Sequence, residues 1–247
     1  MQVRTIAILV VVALALSASP LPAAIINPGF ETGDFTGWST IGSTSVLNKD
    51  FGIAPLEGNF QGFLSTGVGA VPVGSLESFL GLAAGSLSNF VSAFPPGGGA
   101  GGGFATEGSG IKQTFSVNSG DRIQFAWNFL TNEATPSFGG PSAFNDTSFA
   151  IIDLSYTELA DTNATTSDAF LSITGFFQQT GWHTFLSDPL TGGNVTLAFG
   201  VVDVRDPIVD SGLLVDAVPE PSTLLLLGTS LAGIGMSSRR RHGQRRN

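Results

Sequence analysis

Between residues 111 and 130 the chain reads IKQTFSVNSGDRIQFAWNFL, with apolar side chains returning at alternate positions. Successive side chains of an extended backbone point to opposite sides, so Ile123, Phe125, Trp127 and Phe129 share one face of a strand. Ile111, Phe115 and Val117 form the preceding run, and Asn118-Ser119-Gly120-Asp121 turns the chain between the two. FAIIDLSY, VTLAFGVVDV and GLLVDAV are further apolar runs of strand length. Short strands ending in Gly, Asn, Asp and Ser predict an all-β chain folded as two packed sheets. Twenty phenylalanines against one tyrosine supply the aromatic packing between them. The chain has no cysteine, so disulfides, thiol catalysis and Cys-ligated zinc are excluded. Residues 25–217 must therefore be held by a core they are long enough to bury, with or without a metal.

Two segments interrupt the strand pattern. In SLESFLGLAAGSLSNFVSAF, residues 75–94, the apolar positions Leu76, Phe79, Leu80, Ala83, Leu87, Phe90, Val91 and Phe94 recur at helical spacing. This predicts one helical insertion packed on the sandwich, with Ser75 as N-cap and Glu77 in its first turn. Gly81 and Gly85 weaken that helix by about 1 kcal/mol each. The following PPGGGAGGGFATEGSG, residues 95–110, predicts a flexible loop. Its glycines lack the order and the Lys-Ser/Thr pair of a phosphate-binding loop.

The two ends differ from the body. Arg4, the 11-residue apolar run Ile6–Leu16 and the small residues up to Ala24 are arranged as a secretory signal peptide, which assigns residues 1–24 to export through the Sec machinery. Between residues 25 and 217 only Lys49, Lys112, Arg122 and Arg205 oppose eighteen carboxylates, a net charge of −14. So acidic a surface repels nucleic acid and anionic lipid and suits cations or neutral glycans. At the other end, Leu224–Met236 is 13 apolar or small residues, about 20 Å as a helix against a hydrocarbon core of about 30 Å. The basic cluster that follows it would stay cytoplasmic. Signal helix, body and C-terminal hydrophobic helix together predict a protein exported and then anchored, at least transiently, in the inner membrane.

Val218-Pro219-Glu220-Pro221-Ser222-Thr223, then the apolar segment, then Arg239-Arg240-Arg241, closely resembles the PEP-CTERM sorting signal of Gram-negative bacteria. The resemblance implies that residues 218–247 are recognised by the membrane enzyme exosortase. It further implies removal of the tail, final residence at the cell surface or in the extracellular matrix, and an association with exopolysaccharide.

The body offers little for catalysis. His242 lies in the tail, and His183, in TGWHTF, stands alone in an expected strand. No Gly-x-Ser-x-Gly elbow supplies a serine for it. Most acids fall at strand ends (Asp121, Asp153, Asp188, Asp203, Asp206 and Asp210), where solvated turn residues are expected. The reading is therefore a non-enzyme with a structural or adhesive role alongside exopolysaccharide; the alternative is a calcium-stabilised module for a defined glycan, and the third is a secreted glycan hydrolase or lyase resting on those acids alone.

The opening NPGFETGDFTGW resembles the first strand of jelly-roll carbohydrate-binding modules. That resemblance implies a jelly-roll-like β-sandwich in which Glu31 and, from the last strand, Asp216 share a structural Ca2+. Backbone carbonyls near Asn27 would complete its oxygen shell. The acids Glu133, Asp146, Asp203 and Asp210 are candidates for a second calcium site at one rim. Trp38 and Trp182, each following a glycine, are the candidate platforms for a glycan, while Trp127 belongs to the core by its alternation.

Overall fold

A computed structural model describes residues 25–93, 103–138, 144–163, 170–205 and 207–218. The expected signal segment, the apolar C-terminal helix and the sorting residues from Pro219 onward lie outside these. Among the described residues no helix is long and apolar enough to cross a membrane.

The chain forms a jelly-roll-like β-sandwich of two antiparallel sheets. In chain order the strands are β1 Ser39–Ile41, β2 Ser43–Asn48, β3 Phe60–Ser65 and β4 Val71–Pro72, followed after two helices by β5 Ala105–Val117 and β6 Gln124–Thr131. Then come β7 Thr147–Ile152, β8 Ser155–Asp161, β9 Phe170–Leu171, β10 Gln178–Gln179, β11 His183–Leu186, β12 Gly193–Val204 and β13 Ser211–Asp216. Sheet one runs β1-β5-β12-β7-β8 with β4 on β5, and sheet two runs β2-β3-β13-β6-β10-β9 with β11 on β6.

Between the sheets lies the main core. Ile123, just before β6, and Phe125, Trp127 and Phe129 of β6 enter it together, facing Ile111, Phe115, Phe199 and Val201 of sheet one. Alternation along β12 sends Leu197, Phe199 and Val201 inward and Ala198, Val202 and Val204 to the outer face. That outer face is apolar too, and needs a cover.

The cover is helical, as expected, but it is two short helices and not one. α1 spans Val73–Leu80 and α2 spans Ser86–Ser92. The break falls where Gly81 and Gly85 take φ of 79° and 83°, left-handed conformations that end a helix readily only at glycine. Leu76, Leu80, Leu87 and Val91 pack on Phe149, Ile151, Ala198 and Val202 of sheet one. Ser75 caps nothing, because α1 begins earlier, with Pro72 as N-cap and no side-chain cap bond. Glu77 works on the other helix. It is 3% exposed, and its two oxygens accept the Gly85 and Leu87 N–H groups, each at 2.9 Å, at the start of α2.

Two more expectations shift. Ala105–Gly110 is strand and not loop: β5 pairs with β12 along that stretch, where Gly110 leaves room for Leu76 of α1, which lies 2.9 Å from where a Cβ would stand. FAIIDLSY is not one strand either. It folds back at Asp153, whose φ of 56° starts the β7–β8 hairpin.

Candidate functional site

The first candidate lies where the two ends of the body meet. Residues 25–38 form an irregular loop seated on the sandwich by Phe30, which is fully buried and packs against Phe35 and Trp38. From this loop Glu31 reaches the chain before β3, accepting the Asn59 N–H at 2.9 and 3.0 Å and the Phe60 N–H at 3.0 Å. From the end of β13, buried Asp216 reaches the same segment. Its Oδ2 accepts Leu56 N–H at 2.7 Å and Glu57 N–H at 2.9 Å, and its Oδ1 accepts Ala217 N–H at 2.7 Å. Residues 56–60 are thus clasped by one carboxylate from each end of the body.

Burial pushes the Asp216 carboxyl up to about 6, its N–H donors pull it back, and the charge of Glu31 adds to the rise. Neither acid forms an ion pair with a basic group among the described residues. Two apposed carboxylates offering only oxygen suit a hard cation. The Asn27 carbonyl does not join them: it accepts Phe30 N–H at 3.2 Å and Trp38 Nε1–H at 3.2 Å. Beyond the two side chains, other oxygens would have to complete a calcium shell.

The rim acids gather at the opposite end of the sheets. Asp146 and Asp203 face each other across the β7–β12 pair, one step beyond the Thr147–Val202 partners. Neither is a solvated turn residue: they are 1% and 0% exposed. Asp146 Oδ1 accepts Val204 N–H at 3.0 Å and its Oδ2 accepts the Ser211 hydroxyl at 2.7 Å. Both oxygens of Asp203 are buried without a hydrogen-bond partner. Burial raises the Asp203 carboxyl to about 7, with the charges of Glu107 and Asp210 adding to it and the nearby Thr66 hydroxyl and Asp146 carboxyl opposing; burial also holds Asp146 well above the usual carboxylate range, with the charges of Asp203 and Glu133 adding. The expected four-acid cluster is therefore narrower in contact, two carboxylates with the others acting at a distance. Among the described residues no group of three or more His, Cys, Asp or Glu side chains converges to hold a metal.

The tryptophans part company. Trp38 is 8% exposed and packs between Phe30 and Phe199, so it is core and cannot present a sugar platform. Trp182 is half-buried on the outer face of sheet two, with Nε1–H donating to the Ala54 carbonyl at 3.2 Å. His183 stacks on Trp127, with ring centroids 4.7 Å apart.

One open cleft was not foreseen. It has a volume of about 750 Å³ and lies between the β7–β8 turn and the chain running from β11 to β12. Asp153, Ser155, Thr157 and Asp188 give it polar groups, and Leu154 and Leu186, 68% and 53% exposed, give it apolar ones. Asp153 is partly committed, since its Oδ1 accepts the Thr196 N–H at 3.0 Å. The cleft needs two distant hairpin ends side by side, which no local pattern announces.

Among solved structures the chain is similar to TmCBM61 in complex with β-1,4-galactotriose, at 11% identity and a TM-score of 0.40, covering 78% of this chain and 94% of that one. It is also similar to the cleaved adhesin domain of Lys-gingipain from Porphyromonas gingivalis, at 15% identity and a TM-score of 0.36, covering 76% and 95%. No curated protein sequence matches it. Residues 217–241 match the PEP-CTERM protein-sorting motif, which marks the chain as an exported protein of the kind exosortase sorts to the cell surface.

Proposed function

We propose that this chain is a non-catalytic surface or matrix protein that holds extracellular polysaccharide in the cleft between the β7–β8 turn and the β11–β12 connection. The observation that carries the reading is the sorting motif at residues 217–241, joined directly to a sandwich with an open cleft. The cleft volume falls within the usual range for small-ligand sites, about 300–1,000 Å³. Its lining alternates hydrogen-bonding oxygens with aliphatic side chains, and a sugar ring presents hydroxyls at its edge and C–H groups on its faces. The surplus of carboxylates disfavours a polyanionic glycan unless calcium bridges the two. We assign the carboxylates no catalytic role: Asp153 ties the β7–β8 turn to β12, and Asp188 has no described basic partner that would shape it into an acid or base.

A calcium ion between Glu31 and Asp216 belongs to the same reading. It would neutralise two apposed charges and fix the loop of residues 25–38 to the last strand, as in a calcium-stabilised carbohydrate-binding module with a defined glycan ligand. The clasp supports this by placing both acids on one segment.

The test is co-sedimentation of the full chain, in detergent, with exopolysaccharide from its host, with and without calcium. Saturable binding that weakens about tenfold in Asp188→Ala or Thr157→Ala, the cost of one lost hydrogen bond to a ligand, is the expected result. Equal binding by both variants and the parent would remove the cleft from the proposal. Release of new reducing ends from the polysaccharide would replace it with a hydrolase.

A further inference from the structure

At the end of the sandwich away from Asp216, alternation turns oxygen-bearing side chains into the space between the sheets. Asp146 and Asp203 share the inward parity of Ala150 and Val201 in sheet one. Thr66, Thr131 and Ser211 share that of Leu64, Phe129 and Leu213 in sheet two. All five are at most 1% exposed, so this end of the interior is closed by oxygen where the rest is filled by hydrocarbon.

The hydroxyls form one connected group. Ser211 donates to Asp146 and pairs with Thr131 at 2.9 Å, and Thr66 Oγ1 accepts the Ser211 N–H at 2.9 Å. Asp203 borders this network, near enough to the Thr66 hydroxyl and the Asp146 carboxyl to be influenced by both, but neither of its oxygens accepts a hydrogen bond. A fully buried carboxylate with both oxygens unpartnered, facing a second buried carboxylate, is costly to leave as it stands. A proton shared between the two acids would satisfy one oxygen of Asp203. A cation would satisfy both and would answer the charge of Asp146 as well. Neither acid has a basic partner among the described residues.

We propose that this inward-facing end of the sandwich is a calcium site, in which Asp203 and Asp146 supply the carboxylates, Thr66 and Ser211 supply hydroxyl oxygens, and water completes the shell. The all-oxygen donor set selects a hard cation, and calcium tolerates the irregular geometry of donors drawn from two sheets. Extracellular modules bind calcium with Kd of about 10⁻⁴–10⁻³ M, a range suited to an exported protein. The site is separate from Glu31 and Asp216 and does not depend on the glycan reading.

The experiment is isothermal titration of calcium chloride into the full chain in detergent, first stripped of metal by a chelator. The parent, Glu31→Gln and Asp203→Asn are compared, and melting temperatures are recorded with calcium and with chelator. The expected result is that Glu31→Gln keeps one calcium equivalent that Asp203→Asn lacks. Asp203→Asn then loses the part of the calcium-dependent rise in Tm that Glu31→Gln retains. Glu31→Gln binding no calcium, or Asp203→Asn binding as many equivalents as the parent, overturns the proposal. Where Asp203→Asn does not fold, the count for Glu31→Gln decides alone.

Discussion

Glu77 shows how much one buried acid can organise. A carboxylate inside an apolar layer is stable only where donors meet it, and here the donors are the free N–H groups at the start of α2. One side chain of α1 thereby caps its neighbour and fixes the angle between the helices. Glu77→Ala leaves those N–H groups buried and unpaired, which is expected to cost about 1–3 kcal/mol in urea denaturation. Glu77→Gln, which still accepts one bond, should cost less. The sequence showed Glu77 as a helical residue but not its partners, which lie across the glycine break. Asp203 is the opposite case: it was expected as a solvated turn residue, although its spacing already pointed inward. In VTLAFGVVDV it follows Phe199 and Val201 at spacing of two, so the alternation that buries them buries it too. Composition suggests a turn residue there, and the pattern overrules composition.

Among the elements, long alternating strands were plain in the sequence and short edge strands were not. β6 could be read from its alternation because Phe125, Trp127 and Phe129 turn into the hydrocarbon core. The fold-back inside FAIIDLSY was hidden because its turn is Asp153-Leu154, and leucine carries no turn signal. The helix pair depends on tertiary contact more than on propensity, since neither helix exceeds eight residues. Fully buried Leu76 anchors it to sheet one. Leu76→Ala is expected to destabilise the protein by about 2–5 kcal/mol in urea denaturation. The same variant should open residues 73–92 to limited proteolysis while β6 and β13 stay protected. Simultaneous loss of protection across both sheets would show that the helices are not a separable cover.

For the molecule as a whole, the buried acids set the response to pH. Glu158 is pushed up to about 8 by burial and by Asp161 beside it, Asp203 to about 7, and Asp216 to about 6. An unfolded carboxyl titrates near about 4, so the folded protein keeps protons that the unfolded chain has released. Stability in chelator is therefore fullest below about pH 4 as far as these groups are concerned, and it is lost as pH rises through about 6, 7 and 8. Melting temperatures in chelator should fall between pH 5 and pH 8.5, and Glu158→Gln should flatten the last part of that fall. A melting temperature that rises over this interval would contradict these assignments.

β13 also fixes a direction. Its six residues, from Ser211 to Asp216, separate the oxygen-lined end of the interior from the clasp by roughly 17–20 Å. The sorting segment begins at the clasp end, directly after Asp216. The cleft opens at that same end, because β11 brings Leu186 beside Gln124, where β6 starts next to Asp216. A body held at its C-terminal end would carry the cleft on the attached side and Asp146 and Asp203 on the far one. A polysaccharide strand in that cleft would be pinned between protein and envelope, as rope is held beneath a cleat, while the far end met the calcium of the medium.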